Sequence, residues 1–330
     1  MSKPPVSSVL VGVILALAIA AAIYMAAVFD FTGPQDLPTE DMDRTEPTDP
    51  RLIKYAEGAA IKTGLGAVSG IAVGPDDAIY VVGDGRLIVF DRAGKHLRTV
   101  GVSPAARCLA VDRDGTTYLG AADHVQVHGP DGARRAVWAS AGADAILTCI
   151  ALTEEAVLVA DAGGRRVVRY NRSGARMVGG ADRWEIQDLM LRSAYLDVAV
   201  GSDGQIRVCE PGERRVNVYT RQGELLHSWG KASAQIDGFS GCCNPVHLAL
   251  LSGGRVVTSE KGVPCVKVYG ADDAFECVVA GWEKFADLQC PGEQCTLGGA
   301  LDLATDSRGR VLVLDPAART VRVFTRKKDE

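Results

Sequence analysis

Residues Gly238–Tyr269 read GFSGCCNPVHLALLSGGRVVTSEKGVPCVKVY. Val246–Leu251 is an apolar run suited to a strand, a glycine turn follows, and Arg255–Ser259 is a second strand. Glu260 opens an acidic loop, and a third run closes on Tyr269. Short apolar runs divided by turn residues mark consecutive antiparallel strands. The same unit recurs along the chain in six copies that align without gaps as SGIAV, RCLAV, TCIAL, LDVAV, VHLAL and LDLAT, with Ala72, Ala110, Ala151, Ala199, Ala249 and Ala304 in register.

After each copy comes a turn (PDDA, RDG, TEEA, SDG, SGG, SRG), then an apolar run such as IYVV or VLVL, then a loop with an acid: Asp84, Asp123, Asp161, Glu210, Glu260 or Asp315. The third run ends on Phe90, His128, Tyr170, Tyr219, Tyr269 or Phe324, and a less regular fourth run follows, for example ELLHSWG. A period of about 40 to 50 residues with four short runs per repeat specifies propeller blades. The predicted fold is therefore all-β, a six-bladed β-propeller over 51–330, with blades near 67–100, 105–138, 144–180, 192–229, 244–281 and 299–328. The last copy stops three strands in, so residues 51–63 (RLIKYAEGAAIKT), which have no blade of their own, are expected to supply its outer strand and remove an exposed edge.

These motifs, from Arg51 to Lys328, resemble the NHL-repeat family of six-bladed propellers. More narrowly, GFSGCCNPVHLA with VTSEKGVPCVKVY and LDLATDSRGRVLVLDP is similar to a bacterial group of membrane-attached NHL proteins with a GCCNP motif, for which no reaction is established. The resemblance implies a fold and a location and no activity. Cys265 and Cys277 stand where it leads one to expect Arg and a residue other than Cys.

The chain has 330 residues, 47% of them hydrophobic. Val9–Phe29 is 21 residues without a charge, about 31 Å as a helix, enough to cross a bilayer. That length favours a retained signal-anchor over a cleaved signal peptide. Residues 1–8 carry Lys3, and seven acids follow the span before Arg51, so the charge bias places 1–8 in the cytoplasm and everything from residue 30 outside it, in the periplasm of an inner-membrane protein. Residues 30–50, acidic and rich in proline, read as an extended tether. The first fifty residues hold 2 basic and 7 acidic groups, and the remaining 34 and 34 balance, so no basic footprint for nucleic acid exists.

Two connections are long, 230–245 and 282–298, and loops of such length tend to be functional. They carry Cys242, Cys243, Cys290 and Cys295, for which disulfides tying the loops together are the first expectation outside the cytoplasm. A thiolate metal site is the rival, although neither spacing is that of a zinc ribbon. Cys265 and Cys277 lie on strands joined by a GADDA turn at an even separation, which suggests one face and a second bridge. Cys108, Cys149 and Cys209 sit inside strand patterns as small apolar residues.

Two places before each aligned Ala stand Gly70, Cys108, Cys149, Asp197, His247 and Asp302, near the central axis. Asp197, His247 and Asp302 thus form a candidate channel-mouth site, read either as a hydrogen-bond network fastening neighbouring blades or as a divalent-metal or acid–base centre. Propellers of the gluconolactonase type place metal ligands one residue earlier, where this chain has Leu196, Val246 and Leu301, which cannot ligate. No P-loop, GxSxG, HExxH or EF-hand loop occurs. No cofactor is predicted. The expected function is a binding or scaffold module for a protein or envelope component, with a metal-dependent hydrolase or lyase, or a redox role of the paired cysteines, as alternatives.

Overall fold

The runs of alternating and fully apolar residues form six antiparallel sheets in a computed structural model that describes residues 46–177, 185–288 and 299–328. They lie in one compact unit of the chain, 41–330. Within the first five sheets the strands follow chain order. Blade 5, for example, runs from its inner strand His247–Leu250 through Val256–Glu260 and Cys265–Tyr269 to its outer strand Phe275–Ala280. Among the described residues four sheets have four strands, and the third has three: Leu147–Leu152, Ala156–Asp161 and Arg166–Asn171. The place of its fourth strand is taken by single bridges, Tyr170 with Arg176 and Val167 with Ile186.

Second strands are buried end to end, as in Ile79–Gly83 and Val311–Asp315, whereas outer strands such as Leu225–Trp229 are mostly exposed. The reason is position, since a second strand has a partner on either side and a neighbouring blade on each face. Six apolar clusters fill the six junctions between blades. One joins Ile71, Ile79 and Val81 of blade 1 to Leu312, Leu314 and Val321 of blade 6, which closes the ring. The third-strand closers, from Phe90 round to Phe324, are all buried in these junctions. Gly70 is required where blades 1 and 2 meet, because a Cβ there would lie 2.7 Å from the carbonyl oxygen of Arg107.

The sixth sheet is completed by chain that precedes the first blade. Tyr55–Glu57 and Ile61–Lys62 both pair antiparallel with Thr320–Arg326, Tyr55 opposite Arg326 and Ile61 opposite Val321. At the end of the expected tether Glu46, Pro47 and Pro50 are exposed, and a single residue turns inward. Thr48 is buried, its N–H donates to Glu283 Oε1 at 2.6 Å, and Gly281 makes room for it. The expected membrane span lies outside the described residues, among which no helix is long and apolar enough to cross a membrane.

Candidate functional site

Each inner strand begins at the end of the channel where the long 230–245 loop enters, so residues two places before the aligned Ala sit at that mouth. A cavity of about 270 Å³ runs along the axis, lined by the inner strands of all six blades. Asp197, His247 and Asp302 come together there as the alignment predicts. His247 Nδ1 lies 2.8 Å from Asp197 Oδ2 and 3.5 Å from Asp302 Oδ1.

These side chains reach sideways to the next blade. Asp197 Oδ2 also accepts the backbone N–H of Leu248 in blade 5, at 3.1 Å, and Asp302 Oδ2 accepts that of Ile71 in blade 1, at 2.9 Å. Asp302 Oδ1 accepts the N–H of Leu303. Cys149 reaches blade 4 in the same sense, its Sγ 3.3 Å from the Val198 carbonyl. Blades 3, 4 and 6 are thus each latched to the next.

Burial disfavours the imidazolium of His247, but the carboxylates of Asp302 and Asp197 outweigh it and hold the ring's pKa above the ordinary histidine value. Burial first, and the Asp197 charge next to the opposing pull of His247, leave the Asp302 carboxyl above the usual carboxylate range. One donor atom from each of the three residues lies within 4.8 Å of the others, a spacing that suits a divalent cation. A cation there would compete with the backbone N–H groups of Leu248, Ile71 and Leu303, which these carboxylates already accept.

The disulfides expected at the described cysteines do not form. Cys242 and Cys243 are thiols with their sulfurs 3.1 Å apart, against about 2.05 Å for a bond. Cys265 and Cys277 do not bridge each other either. Bulges in the outer strand put Cys277 opposite Val268, three residues along from Cys265 and so on the other face. The even separation in sequence fails because each bulge inserts a residue. Cys290 and Cys295 lie outside the described residues. Cys108 and Cys209 are buried thiols, and Cys149 is partly buried.

Four of the six acidic loop residues prove to be caps on incoming chain. Asp84 accepts from the N–H of Ala67, Asp161 from Ile146, Glu210 from Met190 and Glu260 from Ser240, each at 2.8 to 3.0 Å. In three blades the acid is also tied to a residue seven places on, in the third strand. Glu210 pairs with Asn217, Asp315 with Arg322, and Glu260 with Lys267 at 2.6 Å. Lys267 is wholly buried, and its ammonium also donates to the carbonyls of Ile236 and Gly238 and faces the Phe239 ring. Sequence reading missed this residue, although the x of VNVY, VKVY and VRVF, with an acid seven before it, was the available signal. Trp229 packs with its ring 4.7 Å from that of Tyr269.

The chain is a six-bladed β-propeller. Neither a protein-family profile nor a curated protein matches it. Solved structures do share the fold. One described as a streptogramin B lyase has a TM-score of 0.56 at 12% identity, over 83% of this chain and 98% of its own. A protein of unknown function from Bacteroides thetaiotaomicron has 0.59 at 16%, over 82% and 72%. A catalytically inactive His-to-Ala variant of virginiamycin B lyase from Staphylococcus aureus, with quinupristin, has 0.56 at 12%, over 82% and 99%. At these identities the likeness is one of fold.

Proposed function

We propose that this protein is a membrane-anchored, extracytoplasmic propeller of NHL type that serves as a binding or scaffold module for a protein or another component of the cell envelope. One observation carries the reading. The ionisable group at the channel mouth is committed to holding blades together, Asp197 through Leu248 N–H and His247, and Asp302 through Ile71 N–H. Recognition then falls to the loops of that face, above all the 230–245 insertion, which Lys267 and Glu260 fix from beneath. The anchor rests on the uncharged Val9–Phe29 run, and the acidic segment after it gives reach.

A metal-dependent hydrolase or lyase is the second reading, favoured by the spacing of the three donor atoms. Metal analysis of the purified full-length protein separates the two. The binding reading expects divalent metal well below one per chain and unchanged in His247→Ala. One equivalent of zinc or manganese in the parent protein, lost in His247→Ala, would replace it with the enzyme reading.

A further inference from the structure

The same face carries a second set of reactive groups that the latch does not use. Cys242 and Cys243 hold their sulfurs 3.1 Å apart, with Cys242 exposed and Cys243 buried. The residues on either side are pinned. Ser240 donates its N–H and its hydroxyl to Glu260 Oε2, at 2.8 and 3.1 Å. Asn244 is buried, donates from Nδ2 to the carbonyls of Ser240 and Lys261, and accepts the N–H of Lys261 at 2.8 Å. The two thiols are therefore fixed against each other.

Lys261 is almost wholly buried, with its ammonium 5.1 Å from the centre of the Tyr195 ring. The Cys242 sulfur lies against the Cys243 sulfur, and the positive charge of Lys261 acts on it. The Cys242 thiol first, and the Lys261 charge after it, hold the Cys243 thiol down at about 5 against its burial, while the Cys242 thiol, hydrogen-bonded to Cys243, lies above its usual range. An aliphatic thiolate stabilised by an adjacent ammonium and a second thiol is the nucleophile of thiol–disulfide exchange.

We propose that Cys242 and Cys243 form a thiol–disulfide exchange site whose substrate is the disulfide of a small thiol. Cys243 Sγ, as thiolate, attacks one sulfur of the substrate RSSR. The S–S bond breaks, RS⁻ leaves and is protonated by solvent, and a mixed disulfide remains on Cys243. Cys242 then loses its proton to solvent and attacks Cys243 Sγ, closing a Cys242–Cys243 bond and releasing the second RS⁻, which is protonated in turn. Two protein thiols are oxidised and one disulfide is reduced to two thiols. Closure brings the sulfurs from 3.1 Å to about 2.05 Å.

The test incubates the reduced full-length protein with oxidised glutathione over a range of pH and follows it by intact mass and peptide mapping. Wild type should lose two hydrogens from the peptide holding Cys242 and Cys243. Cys242→Ser, which lacks the resolving thiol, should stop at a glutathione adduct on Cys243. Lys261→Met should slow the reaction roughly tenfold at neutral pH and move the midpoint of its rate–pH profile upward, a shift that mere loosening of the loop would not give. The proposal is overturned if Cys242→Ser, shown folded by circular dichroism, carries no adduct at Cys243. It is equally overturned if wild type keeps both thiols, or if either is found joined to Cys290 or Cys295.

Discussion

At the scale of single residues, His247 shows how a repeat register can position a group whose role the register does not reveal. The Ala alignment brings Asp197, His247 and Asp302 to one level because each inner strand starts at the same depth. Whether such a side chain faces the channel or the neighbouring blade depends on how blades pack, and here the carboxylates turn to backbone N–H groups of the next blade. The raised pKa of His247 has a direct consequence. A group bound to its proton more tightly when folded contributes stability that is complete below its unfolded value, 6.5, and is lost as pH rises through the higher folded value. Asp302, also raised, acts in the same sense from 3.8 upward. Urea unfolding should therefore show stability falling from pH 6 into the alkaline range, and in His247→Gln the part of that fall above pH 6.5 should vanish. An unchanged slope in the variant would show that the imidazole is not the group responsible.

At the scale of the element, the blade is held by a bond its alternation pattern does not encode. In blades 4 and 5 strand two ends on an acid, strand three carries its partner seven residues on, and the acid's other oxygen takes the N–H of incoming chain. Blade 5 has the most buried version, with Glu260 and Lys267 both fully enclosed. Breaking one side of a buried ion pair leaves an uncompensated charge, which costs about 3–5 kcal/mol, whereas removing both charges is far milder. Lys267→Met should lower the unfolding free energy by about that amount, and Glu260→Gln with Lys267→Met should recover much of it, since Gln still accepts the Ser240 N–H. Chemical denaturation of the two variants checks this, and equal losses in both would show that the pair's charge is not the issue. The same scale explains the cysteines. The outer strand's bulges shift Cys277 away from Cys265, and bulges leave no mark in an apolar pattern.

At the scale of the whole molecule, stability depends on closing the ring. Chain before the first blade reaches the last sheet, where Tyr55 packs among Val279, Phe285, Leu301 and Phe324. Tyr55→Ala removes a large side chain from that junction and should cost about 3–5 kcal/mol. Leu97→Ala, on the outer strand of blade 1 and 54% exposed, should stay within about 0.5 kcal/mol. Thermal and urea unfolding compare the two directly, and similar values would mean that the closing strand contributes little.

The repeat by itself determined that this protein is a ring of six antiparallel sheets, because strand period, turn residues and the aligned Ala are local properties that recur whatever lies beside them. It also pointed to residues 51–63 as a strand of the last sheet, and Tyr55–Glu57 and Ile61–Lys62 pair there. Only the tertiary structure decided what the polar residues do. Asp197 and Asp302 became latches, Lys267 a buried anchor, and Cys242 and Cys243 an unbonded pair beside Lys261. Each of those outcomes is set by which side chain the neighbouring blade or loop presents at hydrogen-bonding distance, and that is fixed by packing between units rather than by the pattern within one.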